Sequence, residues 1–545
     1  MNNQEFDYIV IGAGSAGCVA ANRLSADRQN RVALVEAGAS DREFPLSFKT
    51  SLPIGNVLLL PDKRYNWDYE FTTDEATDGR TIGCPRGKLF GGCSSVNGTV
   101  YMRGHRADYD AWEAEGNRGW GYKEVLEAFK KHENWHDGVN PDYHGTGGEL
   151  DVAALREPNP ISRGFIEAAK QAGHPETRDF NGPEQDGFGL FALNQRGGAR
   201  LNSSKAFLHP VLGRKNLTVL AETLVEKIII EGGRAVGLRV RRNGAAEELR
   251  VSKEIILSGG TINSPHLLML SGIGPKDELE RHGIKVVKDL AGVGGNLQDH
   301  VTVSISNEDP SGHSFALTAK SFPRLAGQAA KYLLRRKGLL SSPVAESGGF
   351  IRTQEGLDRP DVQVTFMVGM KTRANFVPTV HGTICHMNIC RPRSRGRLSL
   401  RSASPDDKPI IKPGFLKDKE DVQILIRAIR IIREIFTKPA MAPYVGMEIL
   451  PGRDKTSDDD LEKFIRGHAA TVYHPVGTCK MGPKSDPMAV VDNELRVHGI
   501  DGLRVADASI MPNIVSGNTS APAMMIGERV AEFIRGKRNY VEEAA

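Results

Sequence analysis

Apolar and polar positions along the chain fall into a few short, readable patterns. Residues 7–25, "DYIVIGAGSAGCVAANRLS", open on an apolar run, break at glycines and continue at helical spacing. "RVALVEAG" (31–38) is a second short apolar run, which predicts a buried strand. "GYKEVLEAFKK" (121–131) gathers Val125, Leu126 and Phe129 and predicts an amphipathic helix. "LRVADASIMPNIVSGNTSAPAMMIGERVAEFIRG" (503–536) predicts strand, turn, a Gly517–Asn518 loop and a helix carrying Met524, Met525, Val530 and Phe533. Strand, turn, helix and strand in that order predict an α/β fold. There is no run of about 18 apolar residues, so no membrane-spanning helix is expected.

Composition narrows the function classes. The chain has 545 residues, too many for one small core, so two or more domains are expected. Lys and Arg number 71 against 67 Asp and Glu, without a basic block, so no nucleic-acid partner is expected. Glycine, at 59 residues, exceeds average usage, as around a large cofactor approached closely by backbone. "MNNQEFDYIV" lacks the basic and apolar regions of a secretory signal. Cys18, Cys84, Cys93, Cys385, Cys390 and Cys479 are scattered without C-x-x-C spacing, so no structural zinc is expected and a reduced cytoplasm fits. "NVLLLPDK" (56–63) reads first as a buried loop, with a lid or peripheral contact at the inner membrane as the alternatives.

The first glycines carry chemistry. Gly12, Gly14 and Gly17 have G-x-G-x-x-G spacing, and Glu36 follows 19 residues after Gly17 at the end of the second strand. In this setting Gly12 makes the turn, Gly14 admits a pyrophosphate and Gly17 lets helix and strand pack closely. The helix N-terminus aims its free N–H groups at the phosphates, and Glu36 accepts from the ribose hydroxyls. The pattern predicts a dinucleotide; its N-terminal position favours FAD over NAD.

A competing signal lies at "KKHENWH" (130–136), where His132-Glu133-x-x-His136 matches a zinc peptidase pattern. Zinc binding needs both histidines on one helical face, one turn apart. "DGVNPDYHGTGG" follows at once, so His136 is expected at or beyond the helix end, where that geometry fails. "TVYHPVGTCKMG" (471–482) holds His474 against Pro475, which restricts it to extended backbone, with Gly477 and Gly482 close by. From these residues alone His474 is a core histidine, a metal ligand or a base.

"RGKLFGGCSSVNGTVYMRG" (86–104), "GTINSPHLLMLSGIG" (260–274), "GVGGNLQDH" (292–300), the His474 segment and "SGNTSAP" (516–522) follow the N-terminal glycines in order. Together these resemble the glucose–methanol–choline family of flavin-dependent alcohol oxidoreductases, from Tyr8 to about Arg535. Phe90 and Cys93 depart from the family's more usual Leu and Ser. The resemblance implies a Rossmann-like FAD domain from three pieces, 1–155, 200–305 and 466–545. A substrate domain, 156–199 and 306–465, is inserted and built on an antiparallel sheet with helices. It implies that Gly12 to Gly17 and Glu36 hold the ADP half, and that Val225 meets the adenine. Gly92, Asn97, Gly98 and Val100 would lie by pyrophosphate and ring, Asp507 and Ala508 by pyrophosphate and ribityl chain. Ser15, Ala16, Ala37, Trp67, Arg86, Gly91, Thr99 and Thr519 complete the cofactor set. Val96 stands where some members attach FAD to histidine, so non-covalent FAD is expected.

By the same resemblance His474 is the base and Asn518 the residue that orients the substrate oxygen. An alcohol is a very weak acid, so hydride loss from carbon needs a positioned proton acceptor near neutral pKa. The amide can stabilise charge as it develops on oxygen. "GLLSSPVAESGGFIRT" (338–353) and "GRLSLRSASPDDKPIIKPGFLKDKEDV" (396–422) resemble dehydrogenases of aliphatic primary alcohols and polyethylene glycols, with choline dehydrogenase as the alternative. For choline, Glu308 would face the ammonium, with Trp67 and Tyr473 as aromatic neighbours. Against this, residues 306–322 hold no tryptophan, so Glu308 reads first as a solvated loop carboxylate. The expected electron acceptor is a quinone or similar compound, with oxygen as the alternative suggested by Val472.

Overall fold

The computed structural model describes residues 4–138, 140–317, 321–370 and 379–536. The extreme ends of the expected 1–155 and 466–545 segments, and part of 306–322, lie outside them. The fold is α/β, with two large sheets.

The first sheet is parallel at its centre. Strand β1 (Gln4–Ile11) lies between β2 (Val32–Val35) and the long strand Ala245–Leu257, and Leu217–Leu220 adds beyond β2. Leu503–Val505 pairs with Ile255–Leu257, so the C-terminal piece closes a sheet that the N-terminal piece began. Arg234–Arg242 and Thr223–Glu231 extend the sheet by antiparallel pairing. β2 is buried along its whole length, as central parallel strands are.

Helix α1 (Ser15–Leu24) crosses the helix Ser520–Ile534 at very short range. A Cβ on Gly527 would lie 2.5 Å from the Ala16 carbonyl, so glycine is required there. Arg23 joins the same pair of helices through its ion pair with buried Glu528, at 2.7 Å. The N-terminus of α1 and the Asn518–Thr519 turn are therefore held by one helix crossing.

The second sheet is antiparallel, in the order Glu448–Leu450, Val301–Glu308, Gly382–Ile389, Val362–Met367, Ala345–Ile351, Gly187–Leu190. Helices Pro160–Gln171 and Lys419–Phe436 pack on it, with Phe165 stacked 4.2 Å from Phe366 and both rings near Phe436. Val301–Glu308 lies wholly in this sheet, and Ala470–Thr471 pairs with its first residues. The expected boundary at 305/306 thus falls inside one strand, and the one at 465/466 just before its partner.

The helix Tyr122–His132 ends where expected, and Glu133–Trp135 is extended. His132 is fully buried beside Phe129 and Phe207, whereas His136 is exposed and meets Asp151 at 3.3 Å. The two histidines do not share a helical face. Residues 56–63 contain the short helix Asn56–Leu59, with Leu59 buried and Leu58 turned outward, not a wholly buried loop.

Candidate active site

A cavity of about 640 Å³ runs from the N-terminal glycines to His474 and Asn518. Of the residues the sequence singles out, Gly12, Gly14, Ser15, Ala16, Glu36, Ala37, Trp67, Arg86, Gly92, Asn97, Gly98, Val100, Val225, Tyr473, His474, Asp507, Ala508, Asn518 and Thr519 line it. Gly17, Gly91, Thr99 and Glu308 do not.

The glycines at one end have separate reasons. Gly12 has φ of +94° and no room, since a Cβ would sit 2.5 Å from the Ser258 carbonyl oxygen. A Cβ on Gly17 would fall 1.9 Å from the Gly12 oxygen, which places Gly17 in packing behind the turn. Around Gly14 a Cβ would meet no protein atom within 4 Å, so the space in front of it belongs to the cavity. Gly91 donates to the Ala13 carbonyl at 2.7 Å, and a Cβ on Gly92 would come 2.9 Å from Gly14 Cα. The two small-residue loops are therefore back to back. Glu36 accepts from the Ala13 and Gly38 amides, both at 2.8 Å, while burial holds its carboxyl above the usual range. These features fit a dinucleotide: an open backbone cradle at a helix N-terminus, with an acceptor one strand away.

Further in, Asp507 ties two loops together. It accepts from the Gly260 amide at 2.8 Å, the Ser264 hydroxyl at 2.6 Å and the Ser509 amide at 2.8 Å. Thr99 has φ of +57°, rare for a β-branched residue, and its amide donates to Asn97 Oδ1 at 2.9 Å. Arg200, buried and unremarked in the sequence, donates to the same oxygen at 2.8 Å. Val96 packs with Leu46, Leu59 and Leu89.

At the other end, His474 is fixed through its backbone and both ring nitrogens. Its amide donates to Asp299 Oδ1 at 2.9 Å, and the Thr471 hydroxyl donates to Oδ2 of the same residue. Tyr473 takes φ of +68°, and its carbonyl accepts from Arg86 at 2.7 Å. Strain of this kind persists only where surrounding contacts enforce it. Burial pushes the Asp299 carboxyl up to about 6 despite Arg86 and Thr471.

Hydrogen-bond directions in the site can be derived from one end. His300 Nε2 lies 3.1 Å from the Cys390 carbonyl, which can only accept, so Nε2 carries the proton. His300 Nδ1 is then an acceptor, and His474 Nδ1, 2.9 Å away, must donate to it. His474 Nε2 is left with its lone pair, facing Asn518 Nδ2 at 3.1 Å. Asn518 Oδ1 accepts from Gln363 at 3.2 Å, and Gln363 Oε1 accepts from Asn388 at 3.2 Å. Burial, then His300 and Arg86, holds the His474 imidazole well below its ordinary range, so it is neutral.

Glu308 lies apart from these residues. It is exposed at the far end of the strand that starts beside His300. A strand rises about 3.3 Å per residue, so Glu308 stands roughly 25 Å along the strand from that histidine. It ends a strand and does not lie in a loop. Gln363 and Asn388 lie in none of the quoted motifs, whereas Asp299 and His300 sit in "GVGGNLQDH".

Comparison with known proteins gives the family and the fold. The N- and C-terminal profiles of the GMC oxidoreductase family match residues 6–302 and 392–527. The chain is 44% identical to "Alcohol dehydrogenase [acceptor]" of Pseudomonas putida, covering 97% of this chain and 95% of that protein. It is 43% identical to mitochondrial choline dehydrogenase of Homo sapiens, covering 98% and 91%. Among solved structures, pyridoxine 4-oxidase from Mesorbium loti superposes with a TM-score of 0.87 at 31% identity, over 98% of this chain and 100% of that one. A formate oxidase superposes with a TM-score of 0.90 at 27% identity, over 98% and 99%.

Proposed function

The chain belongs to the GMC oxidoreductase family, and from there we propose that it oxidises a neutral primary alcohol to the aldehyde, using FAD held without a covalent bond. Gly12, Gly14, the α1 N-terminus, Glu36 and Val225 would hold the adenosine diphosphate half. Gly92, Asn97, Gly98, Asp507 and Ala508 would hold the remainder. Bound FAD supplies the two-electron acceptor for the hydride.

The protein's own part is proton and charge management. The substrate hydroxyl replaces Asn518 as the donor to His474 Nε2, which accepts its proton. Asn518 Nδ2 donates to the same oxygen as negative charge grows there. His300 keeps the proton on the far nitrogen of His474, so the base always faces the substrate. The observation that carries this reading is the single direction of hydrogen bonds from the Cys390 carbonyl to Asn388, with the lone pair of His474 Nε2 turned to Asn518.

Choline is the second reading, supported by the 43% identity to human choline dehydrogenase. The exposed position of Glu308 favours neutral alcohols, because it removes the carboxylate offered for an ammonium group. The acceptor is proposed to be a quinone or similar compound. An alcohol panel assayed in parallel with oxygen and an artificial acceptor tests both points. Fast turnover of aliphatic primary alcohols with the artificial acceptor, slow turnover of choline and no effect of Glu308→Gln are expected. Efficient choline oxidation lost in Glu308→Gln would reverse the ranking. Acid precipitation should release all flavin to the supernatant; flavin kept in the pellet would exclude the non-covalent form.

A further inference from the structure

Exposed apolar side chains are concentrated on one part of the surface. Of the eleven large ones among the described residues, six are Phe44, Phe48, Leu58, Leu317, Leu333 and Leu334. These fall on two segments, 44–58 and 317–334. The segments meet in a small cluster apart from the main core, formed by Leu52, Ile54, Phe315 and Tyr332 with Val57 and Leu325 against it. Six outward apolar groups thus flank one shared footing.

The helix Phe322–Arg335 dominates this face. Leu325 and Tyr332 face inward, seven residues apart. Ala326, Ala330, Leu333 and Leu334 have the same helical spacing on the outside and are all exposed, Leu334 at 83%. A surface helix normally turns polar side chains to water on that side. Residues 322–337 hold Arg324, Lys331, Arg335, Arg336 and Lys337 and no acidic residue. Lys331 pairs with Glu157. Among the described residues no carboxylate pairs with Arg324, Arg335, Arg336 or Lys337, and the Arg336 guanidinium lies over the Tyr332 ring at 4.9 Å.

We infer that this face seats on an anionic lipid bilayer, with Leu333 and Leu334 at the acyl boundary and Arg335, Arg336 and Lys337 at the headgroup phosphates. An outward apolar stripe beside unpaired cations is the pattern of an interfacial helix. At about 1.5 Å per residue the helix is roughly 21 Å long, too short to cross a hydrocarbon core of about 30 Å, so it lies in the plane. No helix among the described residues is long and apolar enough to span. A second copy of the chain fits less well, because a two-fold contact would set the same unpaired cations against each other. The seat is independent of the alcohol reading. The chain running on from this face, Lys63 and Asn66 to Tyr69, lines the cavity.

Co-sedimentation of the full chain with vesicles tests this. At low salt the protein is expected to pellet with phosphatidylglycerol vesicles, to pellet far less with phosphatidylcholine vesicles and to be released as salt rises. Leu333→Ser/Leu334→Ser should lower binding by roughly tenfold or more. Arg335→Gln/Arg336→Gln should lose roughly tenfold or more on phosphatidylglycerol and little on phosphatidylcholine. Both variants should keep the parent's thermal midpoint. Absence of pelleting by the parent, or unchanged pelleting of the leucine variant, overturns the proposal. So does sedimentation velocity showing a dimer that the leucine variant dissociates while vesicles bind neither protein.

Discussion

The Nδ1 atoms of His300 and His474 lie 2.9 Å apart, and the Cys390 carbonyl on the far side of His300 decides which carries the proton. A backbone group outside the cavity thereby selects the tautomer of the proposed base.

Replacing the two histidines should separate base from support. His474→Ala is expected to slow flavin reduction by roughly 10²–10⁴. His300→Leu removes the acceptor for His474 Nδ1–H and should cost roughly 10–10³, because the wrong tautomer offers no lone pair at Nε2. His300→Gln can still donate to Cys390 and accept from His474, so it should stay within several-fold of the parent. Stopped-flow reduction by alcohol measures all three. Equal losses in the Leu and Gln variants would remove the tautomer role.

The amide of Asn518 is oriented from the antiparallel sheet, by Gln363. An ionised glutamate there cannot donate to Asn518 Oδ1, so Gln363→Glu should turn the amide and place its oxygen towards His474. A loss of roughly 10²–10³ is expected, as for removal of the Asn518 donor itself. The loss should shrink as pH falls and the new carboxyl regains a proton. A variant with a pH-independent deficit would show that Gln363 only fills space.

Gly14 and Gly17 should fail in different ways. Gly17→Ala drives a methyl into the Gly12 carbonyl, at 1.9 Å, and should yield little folded protein. Gly14→Ala brings its methyl within 4 Å of no other part of the described chain, so the protein should fold and lose cofactor. Thermal midpoint together with visible absorbance distinguishes the cases. A yellow Gly14→Ala protein of parental affinity would mean no phosphate approaches that backbone.

Acid should destabilise the native state through buried neutral histidines. Burial holds the imidazoles of His132, His266 and His300 down to about 4, against an ordinary value of 6.5. Unfolding frees each to bind a proton in that window, so stability present above about pH 6.5 is lost as pH falls towards 4. Each histidine contributes roughly 3 kcal/mol at most. Asp299 runs the other way: raised from 3.8 to about 6, it keeps its proton in the native state, and its contribution falls as pH rises through that window. His132, with neither ring nitrogen hydrogen-bonded among the described residues, is the cleanest test. His132→Leu should flatten urea midpoints between pH 6.5 and 4 and leave activity intact. An unchanged slope would show that His132 already protonates in the folded protein.

Local order was legible in the sequence. β1, α1 and β2 are encoded within residues 4–35 by apolar runs and glycines whose neighbours are close in the chain. His474 and Asn518 stand out because short motifs surround them. What stayed hidden depends on pairing across long separations. Gln363 reaches Asn518 only because two strands of the antiparallel sheet bring Gln363 and Asn388 into register. Val301–Glu308 was divided between domains because its apolar positions do not say which sheet it joins. Glu308 was offered to an ammonium only through resemblance, which does not show that residues 301–308 run extended away from His300. The His132 pattern misled for the opposite reason: the spacing is right, but the helix stops at the first histidine.

The joining of Leu503–Val505 to the sheet that β1 opens has a consequence for how the protein is made. The strand beside β1 is residues 245–257, its partner is 503–505, and Asn518 comes later still. A ribosome adding about 5–20 residues per second needs roughly 25–100 s to pass from β1 to Asn518. Throughout that time the glycine loop is in the nascent chain without the walls that would complete its cavity. Loading with cofactor therefore waits for residues 503–518, and a message truncated before codon 503 should give a colourless product however well the preceding part folds.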